Sequence, residues 1–166
     1  MNIKLKVNID DIKMSDGLLS AMSIINQINR ADENNITIDF SEVKFVTPLF
    51  VLPLFVFLNT CSKNVTVVNI NDYLQTIGFT DEMYPDKMRK SEFMAKMEKY
   101  TRKTYIPIVS FPALKDNDDE KDSILSTVET IIVRQLGIAP NVATGLKYML
   151  GESIDNIIQH ANSERG

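Results

Sequence analysis

Apolar and polar positions change rhythm several times along this chain. Over Asn2–Ile9, the residues Ile3, Leu5, Val7 and Ile9 alternate with Lys4, Lys6 and Asn8, and this period of two predicts a strand. From Ser15 to Asn29, Leu18, Leu19, Met22, Ile25 and Ile28 recur at helical spacing, with Ser15 placed to cap the start. Asn34 and Asn35 punctuate the chain, and Ile36–Phe40 reads as a second strand. Thr47 followed by Pro48 predicts a helix start: the threonine oxygen can cap, and the proline sits where its missing N–H leaves nothing unpaired. The helix that follows is apolar nearly all round, so it is expected to be heavily buried. Pro53 is expected to bend it or limit its length. Val65–Ile70 predicts a third strand, and Asp72–Ile77 a short helix closed by Gly78. Strands and helices that alternate in this way predict an α/β fold with a mostly parallel sheet and right-handed crossovers over residues 1–82.

Beyond that point the rhythm is helical. A connecting helix is expected over residues 83–104. It carries an apolar stripe of Phe93, Met94, Met97 and Tyr100, and a basic run of Lys87, Arg89, Lys90, Lys96, Lys99, Arg102 and Lys103 opposed only by Glu92 and Glu98. Such a helix can lie on membranes or bind nucleic acid. The plainer reading is a helix packed on its own domain with a solvated basic face. Tyr105–Phe111 is a strand candidate. Two helices are predicted to follow. Ser123–Leu136 carries Ile124, Leu125, Val128, Ile131, Ile132 and Leu136 and ends at Gly137. Pro140 opens the second, which runs to about His160 with an expected buried set of Val142, Leu146, Met149, Leu150, Ile154, Ile157 and Ile158. Asp116, Asp118 and Glu120 alternate as in calcium loops, but Lys121 stands where a glycine belongs and the closing glutamate is missing. Acidic residues favoured by a helix dipole explain them better.

Composition narrows the possible functions. With 166 residues, 44% of them hydrophobic and 24% charged, the chain has the balance of a soluble globular protein. A net charge of -4 gives no overall pull toward nucleic acid or anionic lipid. Cys61 is the only cysteine, so no disulfide forms within the chain and a cytoplasmic setting is expected. Phe45–Leu58 is broken by Thr47, Pro48 and Pro53 and falls short of a membrane span. With one histidine and one cysteine there is little basis for a zinc site. Neither GxGxxG nor GxxxxGK[ST] is present.

The candidate chemistry lies on the last helix. Glu152, Asn156 and His160 are spaced four apart, and each step of four turns about 40° around a helix, so the three share a face. Leu150, Ile154, Ile157 and Ile158 fall on the opposite side. A glutamate there can act as a general base toward water or a hydroxyl. An asparagine can offer oxygen to magnesium. The alternative is an ordinary polar row on a solvated helix.

The run Glu152-Ser153-Ile154-Asp155-Asn156-Ile157-Ile158-Gln159-His160 resembles the N-box of GHKL ATP-binding domains, above all those of the anti-sigma-factor serine kinases. The resemblance implies that Asn156 holds the magnesium that bridges the phosphates, Glu152 serves as base or water-orienting group, and His160 sits near the phosphates or the lid. Residues 105–166 are then the opening of a GHKL domain. The family's adenine-binding Asp-x-Gly-x-Gly and its glycine-rich lid follow the N-box and are absent from these 166 residues. ATP and Mg2+ are therefore expected only for a complete domain, and no catalysis is expected of this chain alone. Residues 1–82, with Ile36–Phe50 at their centre, resemble a STAS domain, the fold of anti-sigma-factor antagonists. At the positions matching that family's Asp-Ser-Ser-Gly loop stand Thr47, Pro48, Leu49 and Phe50, so the acceptor serine is missing. Together the resemblances imply a regulatory protein of signal transduction, a fragment of a STAS–GHKL ATPase or kinase. A non-catalytic interaction module is the alternative. A protein partner is expected, without nucleic acid or membrane. The last two helices, lacking the sheet they would normally cover, are expected to expose apolar surface and to let the chain form a homo-oligomer.

Overall fold

The computed structural model describes residues 3–6, 14–43, 46–80, 87–110 and 118–160, the first four and residues 14, 15 and 118 by backbone only. The chain divides into two compact units, Met1–Phe79 and Thr80–Gly166. It is a mixed α/β protein.

The first unit is built on strands β1 (Ile3–Lys6), β2 (Asn35–Asp39) and β3 (Asn64–Val68). They form one parallel sheet in the order β1-β2-β3, with Ile3 beside Ile36 and Ile36 beside Val65. Helix α1 (Met14–Arg30) connects the first pair and α2 (Pro48–Thr60) the second. Helix α3 (Asp72–Thr76) is short, capped by the Asn71 side chain, which accepts from the Leu74 N–H at 2.9 Å. Gly78 follows at φ 77°, the left-handed conformation glycine supplies at a helix end. The core gathers Ile24 and Ile28 of α1, Ile36 and Ile38 of β2, and Phe50, Leu54 and Phe55 of α2. Phe40 makes an edge contact with Phe50 at 6.1 Å and lies 5.6 Å from Phe79, ring centre to ring centre. Aromatic rings favour such tilted approaches.

Expectations for both long helices of this unit are corrected. Helix α1 begins at Met14, so Ser15 lies inside it; the residues just before Met14 lie outside those described. Its inward face is Gly17, Ala21, Ile24 and Ile28, while Leu18, Leu19 and Met22 are exposed. Helix α2 is buried through Phe50, Val51, Leu54 and Phe55 only; Leu49, Leu52 and Val56 face outward, because a helix laid on a sheet keeps an outer side whatever its sequence. Pro53 sits inside this helix, which runs on to Thr60.

Thr47 occupies the N-cap position with extended backbone, yet its hydroxyl caps nothing. The backbone carbonyl of Thr47 takes the N–H groups of Phe50 and Val51 instead, each at 3.0 Å. The hydroxyl oxygen is buried without a partner. It is turned toward α1, where a β-carbon on Gly17 would lie 2.3 Å from it. Gly17 is therefore the residue that lets the two helices meet. At the far end of α1, the Lys63 ammonium donates to the carbonyls of Ile28 at 2.6 Å, Asn29 at 3.4 Å and Ala31. A cation on the last carbonyls of a helix satisfies groups that the helix itself leaves open and suits its dipole.

The second unit is helical. Helix α4 (Lys90–Tyr100) buries Phe93 and Met97 against Ile124 of helix α5 (Asp118–Leu136), with Met88, Ile106 and Val109 packed around them. Residues 105–108 form no strand, Val109 is a single bridge residue, and Phe111 lies outside the described residues. Their backbone is irregular while Ile106 and Val109 still serve the core. The α5 helix starts at Asp118, five residues before the expected Ser123, since acidic side chains suit a helix start. Gly137, at φ 65°, closes it, with Ile138 N–H returned to the Ile132 carbonyl. Helix α6 (Pro140–His160) follows. No helix among the described residues is long and apolar enough to cross a membrane.

Candidate functional site

The geometry of α6 is set by how it lies on α5. Lys121 forms an ion pair with Asp155. A β-carbon on Gly151 would sit 3.5 Å from the Leu125 side chain. Lys147 pairs with Glu129 at 3.2 Å and donates to the Ser126 hydroxyl at 3.2 Å, and the Thr144 hydroxyl donates to Glu129 at 3.0 Å. Each step of four forward on α5, from 121 to 125 to 129, matches a step of four back on α6, from 155 to 151 to 147, so the helices run antiparallel in close register. The buried positions of α6 are Ala143 and Gly151. Small residues let the helix axes approach, which is why the seam falls here.

This corrects the expected buried set. Val142, Leu146, Met149, Leu150 and Ile157 are exposed, and only Ile154 and Ile158 are half-buried. The sequence pattern named the apolar side of the helix. The contact with α5 instead selects the line of small residues and the salt bridges beside it.

Glu152, Asn156 and His160 are all exposed on α6. They lie on one face, away from the Ala143–Lys147–Gly151–Asp155 line that meets α5. One neighbour of the row went unnoticed in the sequence. Tyr148, one turn before Glu152, donates its hydroxyl to the Glu152 carboxylate; that hydrogen bond and the carboxylate charge, with a little burial, push the tyrosine pKa up. The spacing of four between Tyr148 and Glu152 was the available signal. Glu129 shows the opposite effect: hydrogen bonds from Thr144 and Lys147 hold its carboxyl below the ordinary range.

The donors of the row can be compared with what magnesium requires. Asn156 offers one amide oxygen and Glu152 one carboxylate a turn away. Magnesium keeps several waters and is commonly shared between one or two protein oxygens and substrate phosphates. The pair fits an ion carried on phosphates and does not form an all-protein cage. Among the described residues, no group of three or more His, Cys, Asp or Glu side chains could hold a metal ion.

A separate open groove of about 730 Å3 lies between α4 and α5. Ser91, Met94, Thr101, Ser123, Ser126 and Thr130 are among its lining residues, and no residue of the Glu152–His160 row is. On α4 the expected apolar stripe divides, with Phe93 and Met97 inside and Met94 outside. Lys90 is tied to Asp119, and Lys96 to Glu92 at 3.4 Å. Part of the basic run is thus engaged within its own unit. Comparison with known proteins finds no matching family model, no matching curated protein and no matching solved structure.

Proposed function

We propose that this chain is a regulatory protein of signal transduction, with a STAS-like first unit and a second unit that carries the N-box helix of a GHKL-type ATP site. The observation that supports this reading is the placement of Glu152, Asn156 and His160 on one exposed face of a helix fixed from behind by α5. A rigid element with its functional groups turned outward is what a site requires. In this reading Asn156 would hold, through its amide oxygen, a magnesium ion that offsets phosphate charge, and Glu152 would orient or deprotonate the attacking water or hydroxyl. Tyr148 holds the Glu152 carboxylate in position, and His160 lies toward the phosphates or the lid. Bound ATP would supply the phosphates and the transferable group. The 166 residues contain no Asp-x-Gly-x-Gly to hold the adenine, so the site is incomplete within them and the chain alone does not turn over ATP.

The test is magnesium-dependent ATP binding and hydrolysis, measured on the 166-residue chain and on the chain joined to a segment bearing Asp-x-Gly-x-Gly. The expected outcome is no hydrolysis by the first and hydrolysis by the second, with Asn156→Ala and Glu152→Gln each lowering it roughly 100-fold or more, the scale of a lost acid–base or charge-stabilising group. Hydrolysis by the chain alone would refute the incomplete site. Unaltered hydrolysis in both variants would refute the N-box. A second reading, a non-catalytic interaction module, is favoured by the apolar side chains that α6 leaves exposed, because patches of this kind mark protein contacts.

A further inference from the structure

The last turns of α4 and α5 meet at one end of the second unit, where the Gln135 side chain donates to the Thr101 carbonyl at 3.3 Å. The turn into α6 lies at the same end, since Gly137, Ile138 and Ala139 alone separate α5 from α6. Four cations gather there. Lys99 stands in the last turn of α4, Arg102 and Lys103 follow that helix, and Arg134 stands in the last turn of α5. All four are exposed, and among the described residues none of their side chains has an ion-pair or hydrogen-bond partner. Glu98 is their one acidic neighbour in sequence, and it lines the groove between α4 and α5. No other acidic residue occurs between Lys99 and Lys115 or between Thr130 and Gly151. The turn itself is apolar and open, with Leu136 59% exposed and Ile138 37%.

We infer that this end of the second unit docks on an anionic membrane surface. Leu136 and Ile138 enter the headgroup region, and Lys99, Arg102, Lys103 and Arg134 meet the negative charge of the lipids. Exposed apolar residues beside a basic cluster are what such a contact needs. The helix dipole accounts for Lys99 and Arg134, each in a last turn. It does not account for Arg102 and Lys103, which lie past their helix, or for two open aliphatic side chains at the same end. Those side chains also decide between polyanions. A nucleic-acid backbone offers charge without an apolar layer, so Leu136 and Ile138 gain nothing from it. An acidic protein segment needs a groove, whereas the tip of a helical hairpin is convex. A bilayer carries its charge outside and hydrocarbon beneath, and it yields to a convex tip. The net charge of -4 does not oppose the contact. The acidic run Asp119, Glu120 and Asp122 lies at the other end of α5, roughly 20 Å away at 1.5 Å per residue, and charges are screened over about 8 Å at physiological salt. A contact at one end requires no membrane-spanning helix. The inference rests on the cations and the apolar turn and stands apart from the ATP-site reading.

The 166-residue chain should sediment with vesicles of phosphatidylserine and phosphatidylcholine in equal parts, and should stay in solution with phosphatidylcholine alone. Arg102→Gln combined with Lys103→Gln should weaken partitioning roughly 25-fold, since each cation near such a surface is worth about five-fold, with unchanged helical circular dichroism. The same loss of charge at Lys90 and Lys96, which already pair with Asp119 and Glu92, should leave partitioning at the parent level. The chain has no tryptophan, so Leu136→Trp supplies a single reporter whose emission should shift to the blue on the mixed vesicles. Equal sedimentation with phosphatidylcholine alone, full partitioning after the Arg102 and Lys103 substitutions, or an unshifted Leu136→Trp spectrum would each overturn the inference. Binding to a labelled oligonucleotide or a polyglutamate peptide, with none to vesicles, would assign the cations to another polyanion and overturn it as well.

Discussion

Thr47 has the position of a helix cap and the surroundings of a core residue. Its backbone is that of an N-cap, but its hydroxyl, in a residue 6% exposed, finds no partner. A buried hydroxyl left unpaired costs roughly 1–3 kcal/mol. Thr47→Val keeps the shape and removes the polar atom, so it is expected to stabilise the first unit by about 1 kcal/mol in urea unfolding, within that range. Gly17→Ala should act the other way. Its methyl group would take the place of the Thr47 oxygen, and overpacking costs about 1–3 kcal/mol, more than the roughly 1 kcal/mol an alanine gains in a helix. Combined with Thr47→Ala, the same change should cost less than the sum of the single effects, since the clashing atom is gone. Equal stability of Gly17→Ala and the parent would contradict the packing described. The sequence showed Thr47–Pro48 as a helix start, and the start is there. It could not show which way the hydroxyl turns, because that depends on a glycine thirty residues earlier.

At the scale of elements, the α5–α6 hairpin is tied by side chains whose value changes with pH. Glu129 accepts from Thr144 and Lys147, which lowers its carboxyl pKa from 4.5. A lowered folded-state pKa gives stability that is present above the unfolded value and lost as pH falls through the folded one. The hairpin should therefore loosen in acid, from the ordinary glutamate range downward through the lowered folded value. Glu129→Gln should remove that part of the acid sensitivity, leaving a smaller fall in melting temperature between neutral and acidic pH than in the parent. An equal fall in both would show that the carboxylate contributes nothing there. The end of α5 and the start of α6 were legible from Gly137 and Pro140, which mark a stop and a start by backbone chemistry alone, whereas the start of α5 was not. The packed face was not. Apolar periodicity pointed to Leu146, Met149 and Leu150, whereas α6 meets α5 through Ala143 and Gly151 and the ion pairs of Lys121 and Lys147. A single helix pattern shows which residues can be buried, and the neighbour decides which are. The row of Glu152, Asn156 and His160 was legible for the same reason that its surroundings were not: spacing fixes a face, but nothing local fixes what stands opposite.

For the molecule as a whole, the two units rest on different kinds of contact. In the first, Ile3 lies beside Ile36 and Asn35 beside Asn64, and Lys63 must come back to the end of α1 to close it. In the second, α5 and α6 fold back on each other around Gly137, and Thr144 reaches Glu129 across a short turn. The alternation of strands and helices forecast the parallel sheet, and parallel pairing brings this separation with it, since each crossover must span a whole helix. Time is the consequence. Distant pairings form slowly because the intervening chain must be closed before any contact rewards it, while neighbouring helices find each other early. Pulse-labelling during refolding should protect amides of α5 and α6 before those of β2, and the reverse order would refute this. On the ribosome the order of synthesis runs the other way. The slow half emerges before the fast one and waits for β3 and Lys63, and the fast half follows it, ready to fold almost as soon as it is made.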